Sequence, residues 1–229
     1  MQFIETSSFG VRSAIYRLGK SGNCVSFVLF PMIHVGSPDY YAAIKEKLSE
    51  CDCVLTEGVA SKHALVLTLS YRLAASVRGR GLVTQHSLDL RPFEDKIVHS
   101  DVEGNEFDHA WTQIPWRDRL RLYAVIPFVA LYMLLFGTKR VIARFAEAND
   151  LPSREEIFMS DEKWDDLIVN QRDERLVHRI TELEARYRAD GKIVGVVFGA
   201  SHMRAVTALL MEKLSYHVTR SEWITVFEY

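Results

Sequence analysis

The sequence predicts an α/β protein: helices flanking a central, largely parallel or mixed sheet, with a helical middle segment. Three observations support this. The apolar runs CVSFVLF (from residue 24), CDCVLTE (from 51) and IVGVVFG (from 193) have the length and β-branched content of strands buried on both faces. Stretches with helical spacing and helix-start signals alternate with them. Each run also delivers a polar side chain at its end: His34, Glu57 and His202. Parallel strands of an open α/β sheet bring their carboxyl ends to one edge, where such sheets bind ligands.

Taken in order, VRSAIYRLG, the turn-forming KSGN and CVSFVLF read as a β-hairpin leading into a central strand. In SPDYYAAIKEKLSE, Ser37 suits a helix cap, Pro38 the first helical position and Asp39 the positive end of the dipole. Tyr41, Ile44 and Leu48 recur at helical spacing behind them. With CVLTE as the next strand, residues 24 to 57 form a β-α-β unit with parallel strands. A further helix is expected over 61–78, with Leu65, Leu69, Leu73 and Val77 on one face, and GLVTQ suggests another strand. From His99 to Arg121 no period is clean. A long charged helix is expected over 161–188, then strand, GASH turn, helix, and a last strand with Trp223, Thr225, Phe227 and Tyr229 on one face.

The chain has 229 residues, enough for one large core, and is expected to be a single domain over 1–229 with a helical insertion around 100–160. Its composition, 48% hydrophobic and 25% charged, excludes a disordered chain, and a formal net charge of −2 carries no nucleic-acid footprint. Cys24, Cys51 and Cys53 read as buried free thiols of a reducing compartment. MQFIETSSFG lacks the basic and apolar regions of a secretory signal, so a cytoplasmic location is expected, with membrane association left open. The apolar stretch 122–137 is shorter than the ~20 residues of a membrane span and carries Pro127 near its middle. It is expected to be a buried or partner-facing helix, with membrane contact as the alternative; a homo-oligomer is also open.

The chemistry rests on few residues. Glu57 follows Val54-Leu55-Thr56, where an unpaired carboxylate would be expensive to bury, so it needs a cation, a donor or a raised pKa. His202 closes Gly199-Ala200-Ser201-His202, a turn whose small residues leave room for a ligand. His34 alone could simply bond a loop carbonyl. Together His34, Glu57 and His202 form a set of the type that holds a catalytic metal with an open coordination position. Arg172 lies within the apolar stripe of Ile168, Leu176, Ile180 and Leu183, so it should meet a carboxylate or a bound anion. It either forms a structural ion pair or places its fork over a substrate carbonyl, with Asn170 and Asp173 beside it. Asp101 and Gln85 are weaker candidates with structural roles more natural, and Tyr40 and Tyr41 could contact a ligand.

PMIHVGSPDYYAAIKEKLSECDCVLTEGV, VNQRDERLVHRI and VVFGASHMRAVTALLMEKLSYHV resemble the TraB/PrgY family, which includes the Tiki metalloproteases and is related to the erythromycin esterase and ChaN-like proteins. The resemblance runs from about residue 24 to the C-terminus and is loosest in the middle. It implies an α/β core with two similar halves and a site formed by His34, Glu57 and the GxxH histidine His202, with Arg172 matching the arginine of a long-helix motif. The chain departs from the pattern at Pro31, where the family commonly has glycine; proline removes an N–H and fixes φ. The leading expectation is a metal-dependent hydrolase of peptide or ester bonds, metalloprotease-like. In it His34, Glu57 and His202 hold a divalent ion (manganese, cobalt, iron or zinc) that activates water. Glu57 would serve as general base where it is not a ligand, and Arg172 would stabilise the oxyanion. The expected partner is a peptide or small-molecule substrate. The alternatives are a non-catalytic protein binding a peptide or haem-like ligand, and an interaction protein working through 122–137.

Overall fold

Seven strands form one mixed sheet flanked by helices, as the sequence predicts, in a computed structural model that describes residues 1–22, 24–77, 80–150 and 169–229. In chain order, β1 (Ile4–Thr6), β2 (Gly10–Gly19) and β3 (Ser26–Met32) lead to a short β4 (Val35–Gly36), α1 (Pro38–Leu48) and β5 (Cys53–Thr56). Then come α2 (Lys62–Leu67), α3 (Leu69–Ser76), β6 (Val83–Thr84), β7 (Ile97–His99), α4 (Gly104–Gln113), α5 (Trp116–Phe136) and α6 (Lys139–Asp150). The C-terminal part holds α7 (Gln171–Tyr187), β8 (Ile193–Gly199), α8 (Met203–Thr207), a π-helical turn over Ala208–Lys213, and β9 (His217–Glu228).

The parallel part of the sheet runs β3-β8-β5-β7. These strands are short and mostly buried on both faces, which is why their sequences read as unbroken apolar runs. The expected β-α-β unit has its two strands parallel, but β8 is inserted between them. On the antiparallel side, β9 pairs along nearly the whole of β2, while β1 and β3 take its first and second halves. Pro31 lies beyond the β2–β3 ladder, so its missing N–H costs no ladder bond there. Its carbonyl is engaged instead, accepting from Ser13 Oγ at 2.7 Å.

Several elements differ from expectation for identifiable reasons. The helix expected over 61–78 breaks at Thr68 into α2 and α3, and Leu65 and Leu69 of its apolar face stay exposed. A bulge at Val226 interrupts the alternation of β9: Val11 faces Phe227 and Arg12 faces Thr225, so Val226 and Phe227 are both buried. Cys51 and Cys53 are buried thiols as expected, whereas Cys24 is exposed. Ile168 lies outside the described residues, as does most of 161–170. The rest of the predicted stripe, Leu176, Ile180 and Leu183, is buried on α7.

One core joins the sheet to α1, α7 and α8 through residues such as Ile44, Leu48, Leu176, Ile180 and Val206. A smaller cluster of Val102, Phe107, Trp111 and Ile114 fastens α4 beside α5, with His63 stacked on Trp111. The segment from His99 to Arg121 therefore contains α4, begun by a capping box between Glu103 and Glu106. Gly104 opens that helix against the backbone of Ala60, whose carbonyl oxygen would lie 2.1 Å from an added Cβ. Gly104→Ala should therefore destabilise the fold by about 1–3 kcal/mol. Gly58→Ala, whose Cβ would meet nothing within 4 Å, should be near neutral. Chemical denaturation midpoints of the two variants check this.

Candidate functional site

Four adjacent parallel strands end at one edge and deliver the site. His34 follows β3, His202 lies in the turn after β8, Glu57 follows β5 directly and Asp101 follows β7. The convergence inferred for His34, Glu57 and His202 is therefore present, with Asp101 added by a strand whose sequence, IVH, was too short to recognise. Arg172 enters from the first turn of α7 and lies among them.

Arg172 is bound by two carboxylates. Its Nε donates to Asp101 Oδ1 at 2.8 Å, and Nη2 donates to Asp101 Oδ2 at 2.7 Å and to Glu57 Oε1 at 2.6 Å. Asp101 also accepts from the backbone N–H groups of Gly58 at 3.0 Å and Val102 at 2.8 Å. With four bonds its carboxylate is at full acceptor capacity. Glu57 accepts two, from Arg172 and from Gly199 N at 2.6 Å, so half of its capacity remains. The arrangement explains why an arginine interrupts the apolar stripe of α7: it neutralises carboxylates at the ends of β5 and β7. Burial alone would raise the pKa of Glu57, but the adjacent Arg172 guanidinium, with the nearby His202 and His34, holds it down at about 2. Burial likewise acts to lower the Arg172 pKa, and the bonds to Asp101 and Glu57 outweigh it and raise it.

Both histidines have side-chain partners. His202 is buried, and its Nδ1 donates to Asp173 Oδ1 at 2.7 Å, which turns Nε2 toward Glu57 Oε1 at 3.9 Å. His34 Nδ1 lies 3.0 Å from Gln85 Oε1, and the Gln85 backbone N–H donates to the His34 carbonyl at 2.9 Å. The small β4–β6 sheet holds these two segments together. Tyr40 and Tyr41 do not face the site: both are buried, with their hydroxyls donating to the carbonyls of Pro31 and Ile33.

This geometry overturns the metal-dependent hydrolase. Among the described residues no group of three or more His, Cys, Asp or Glu side chains could hold a metal ion. The physical reason lies in the donors already present. One Glu57 oxygen is engaged by a backbone N–H and the other by a guanidinium 2.6 Å away, where a divalent cation would meet like charge. The free ring nitrogen of His202, Nε2, faces the same Glu57 oxygen that Arg172 holds, so the guanidinium occupies the place between them. A manganese, cobalt, iron or zinc cofactor therefore does not fit His34, Glu57 and His202, and neither the metalloprotease-like reaction nor its metal-activated water is supported. Glu57 is also a poor general base at neutral pH, because a carboxylate with a pKa of about 2 binds protons weakly.

Beside the cluster opens a cavity of about 700 Å³. His34, Glu57, Arg172 and Gln85 are among its polar groups, and Val59, Leu65, Leu88, Leu90, Phe107 and Val197 are among its apolar walls. His202 does not line it but sits behind Glu57. His86 and His99 do line it and were not singled out in the sequence; the strand-end position of His99 was the available signal.

No protein-family model matches the chain, and no characterised protein or solved structure is found to be similar to it.

Arg172→Met should cost about 3–5 kcal/mol, since it strands two buried carboxylates; urea unfolding measures it. The pH dependence has a definite sign. The Glu57 pKa is lower in the folded state than its ordinary value of 4.5, so its contribution is fully present above about pH 4.5 and is lost as pH falls towards 2. The loss, on the order of 3 kcal/mol, should be absent in Glu57→Gln. Melting temperatures between pH 6 and 2.5 compare the two slopes.

Proposed function

We propose that this chain binds a small organic molecule in the cavity beside Glu57, taking a ligand with an apolar body and a cationic or donor-rich head. The observation that carries the reading is the imbalance of charge at the cavity floor. Arg172 is already committed to Asp101 and Glu57, while Glu57 stays ionised and keeps acceptor capacity. A ligand head there meets a net acceptor, not a donor, and the apolar walls suit a hydrocarbon or aromatic body. An acidic head would face the ionised Glu57, whose neighbouring arginine is already paired. The resemblance to the TraB/PrgY family belongs to the same proposal, supported by the motif residues His34, Glu57 and His202 at neighbouring strand ends.

Phenethylamine and decylamine, set against phenylpropionate and decanoate, distinguish the head groups. The amines should raise the melting temperature by about 5–10 °C near a hundredfold excess over Kd, and the acids should not. Glu57→Gln should abolish the response, as should Ala64→Phe, which fills the cavity from its wall. Stabilisation by the acids and not the amines would overturn the proposal.

A further inference from the structure

The helix α5 is only half used by the fold. Ile126, Ala130 and Met133 form its buried stripe, packed towards the body of the protein. The opposite face is apolar and exposed: Leu120, Val125, Phe128, Leu131 and Leu135 recur along it, with Phe128 74% exposed. Of the buried or partner-facing helix expected over 122–137, burial is corrected, since the helix starts earlier, at Trp116, and leaves most of its apolar surface uncovered. An exposed apolar surface of this extent marks an interaction site.

The start of that face is basic. Arg117 and Arg121 stand there, against a single acid in the helix, Asp118, whereas Lys139 and Arg140 open α6 and turn to the Glu228 carbonyl and the Tyr229 ring. Asp118 pairs with Arg121 at 3.3 Å, but that guanidinium is largely solvent-exposed and the pair therefore weak. Trp116, with the Arg117 guanidinium over its ring, and Tyr132 bring the amphipathic aromatics typical of a membrane–water boundary.

From this pattern we infer that the outward face of α5 docks on an anionic lipid bilayer and lies in the plane of its interface. Cations at its start complement acidic headgroups while the rest of the face enters the acyl boundary. A second copy of the chain fits less well: parallel pairing along this face sets Arg117 and Arg121 against their own copies, and no acidic side chain on the face could meet them in either orientation. The helix docks without spanning, because its inner stripe is held. Arg80 donates to the carbonyls of Met133 and Leu134 at 3.0 and 2.9 Å, and Tyr123 OH lies 2.7 Å from His63 Nδ1. Crossing a bilayer would strip Ile126, Ala130 and Met133 from their packing.

Co-sedimentation of the full chain with vesicles of phosphatidylcholine, with and without phosphatidylserine, tests this. Binding should require the anionic lipid, weaken at high salt and be released by alkaline carbonate. Phe128→Asp with Leu131→Asp should abolish it, and both side chains are exposed, so an unchanged circular dichroism spectrum is expected. Arg117→Ala with Arg121→Ala, which leaves the apolar face intact, should lower vesicle partition roughly 30-fold. The inference is overturned by a lack of binding to anionic vesicles, by binding indifferent to both variants, or by resistance to carbonate. A vesicle-independent dimer that Phe128→Asp dissociates would overturn it too, making the occupant a second copy.

Discussion

The pairing of Arg172 with Glu57 and Asp101 is the contact on which the carboxyl edge of the sheet depends. Each member is buried enough that none is tolerable alone, and each comes from a different element: α7, the end of β5 and the end of β7. Removing charges from water is repaid only when the geometry is good and the remaining lone pairs are satisfied. Asp101 meets that condition completely, through two guanidinium bonds and two backbone N–H groups. Glu57 meets it in part, and its remaining acceptor capacity is what makes the cavity floor chemically distinctive.

The sequence made the strand ends legible because an apolar run that stops at a histidine or glutamate has few other readings. It also placed Arg172 correctly on the buried face of α7, since helical spacing alone puts residue 172 in line with Leu176 and Ile180. Spacing could not show which anions would meet it. Asp101 follows a three-residue strand with no pattern of its own, and Asp173 reaches His202 only after β8 and α7 have packed. The β8 insertion between β3 and β5 was likewise invisible, since order within a sheet is a tertiary property.

The metal expectation failed for a related reason. Two histidines and a carboxylate at neighbouring strand ends are a donor set by composition, but ligation is decided by what those donors already bond. Here a backbone N–H and a guanidinium have claimed the two oxygens of Glu57, the carboxylate the set depends on. The apolar middle of the chain misled in the opposite direction. Hydropathy suggested a buried or partner-facing helix for 122–137, and full burial does not follow, because the small cluster around Trp111 and the inner stripe of α5 need only one side of that helix.

The order of strands has a consequence for how the molecule comes into being. β8, the partner of both β3 and β5, is made long after them, and β9 completes the pairing of β2 from the far end of the chain. Contacts between such distant segments demand loop closure before they return any stability, which slows folding. During synthesis, β3 can pair with β2 and β5 with β7, but the edge each offers to β8 must wait as unpaired apolar surface until Gly199 has been added. The N–H of that same glycine then orients Glu57, so the sheet and its ligand edge mature in a single late event.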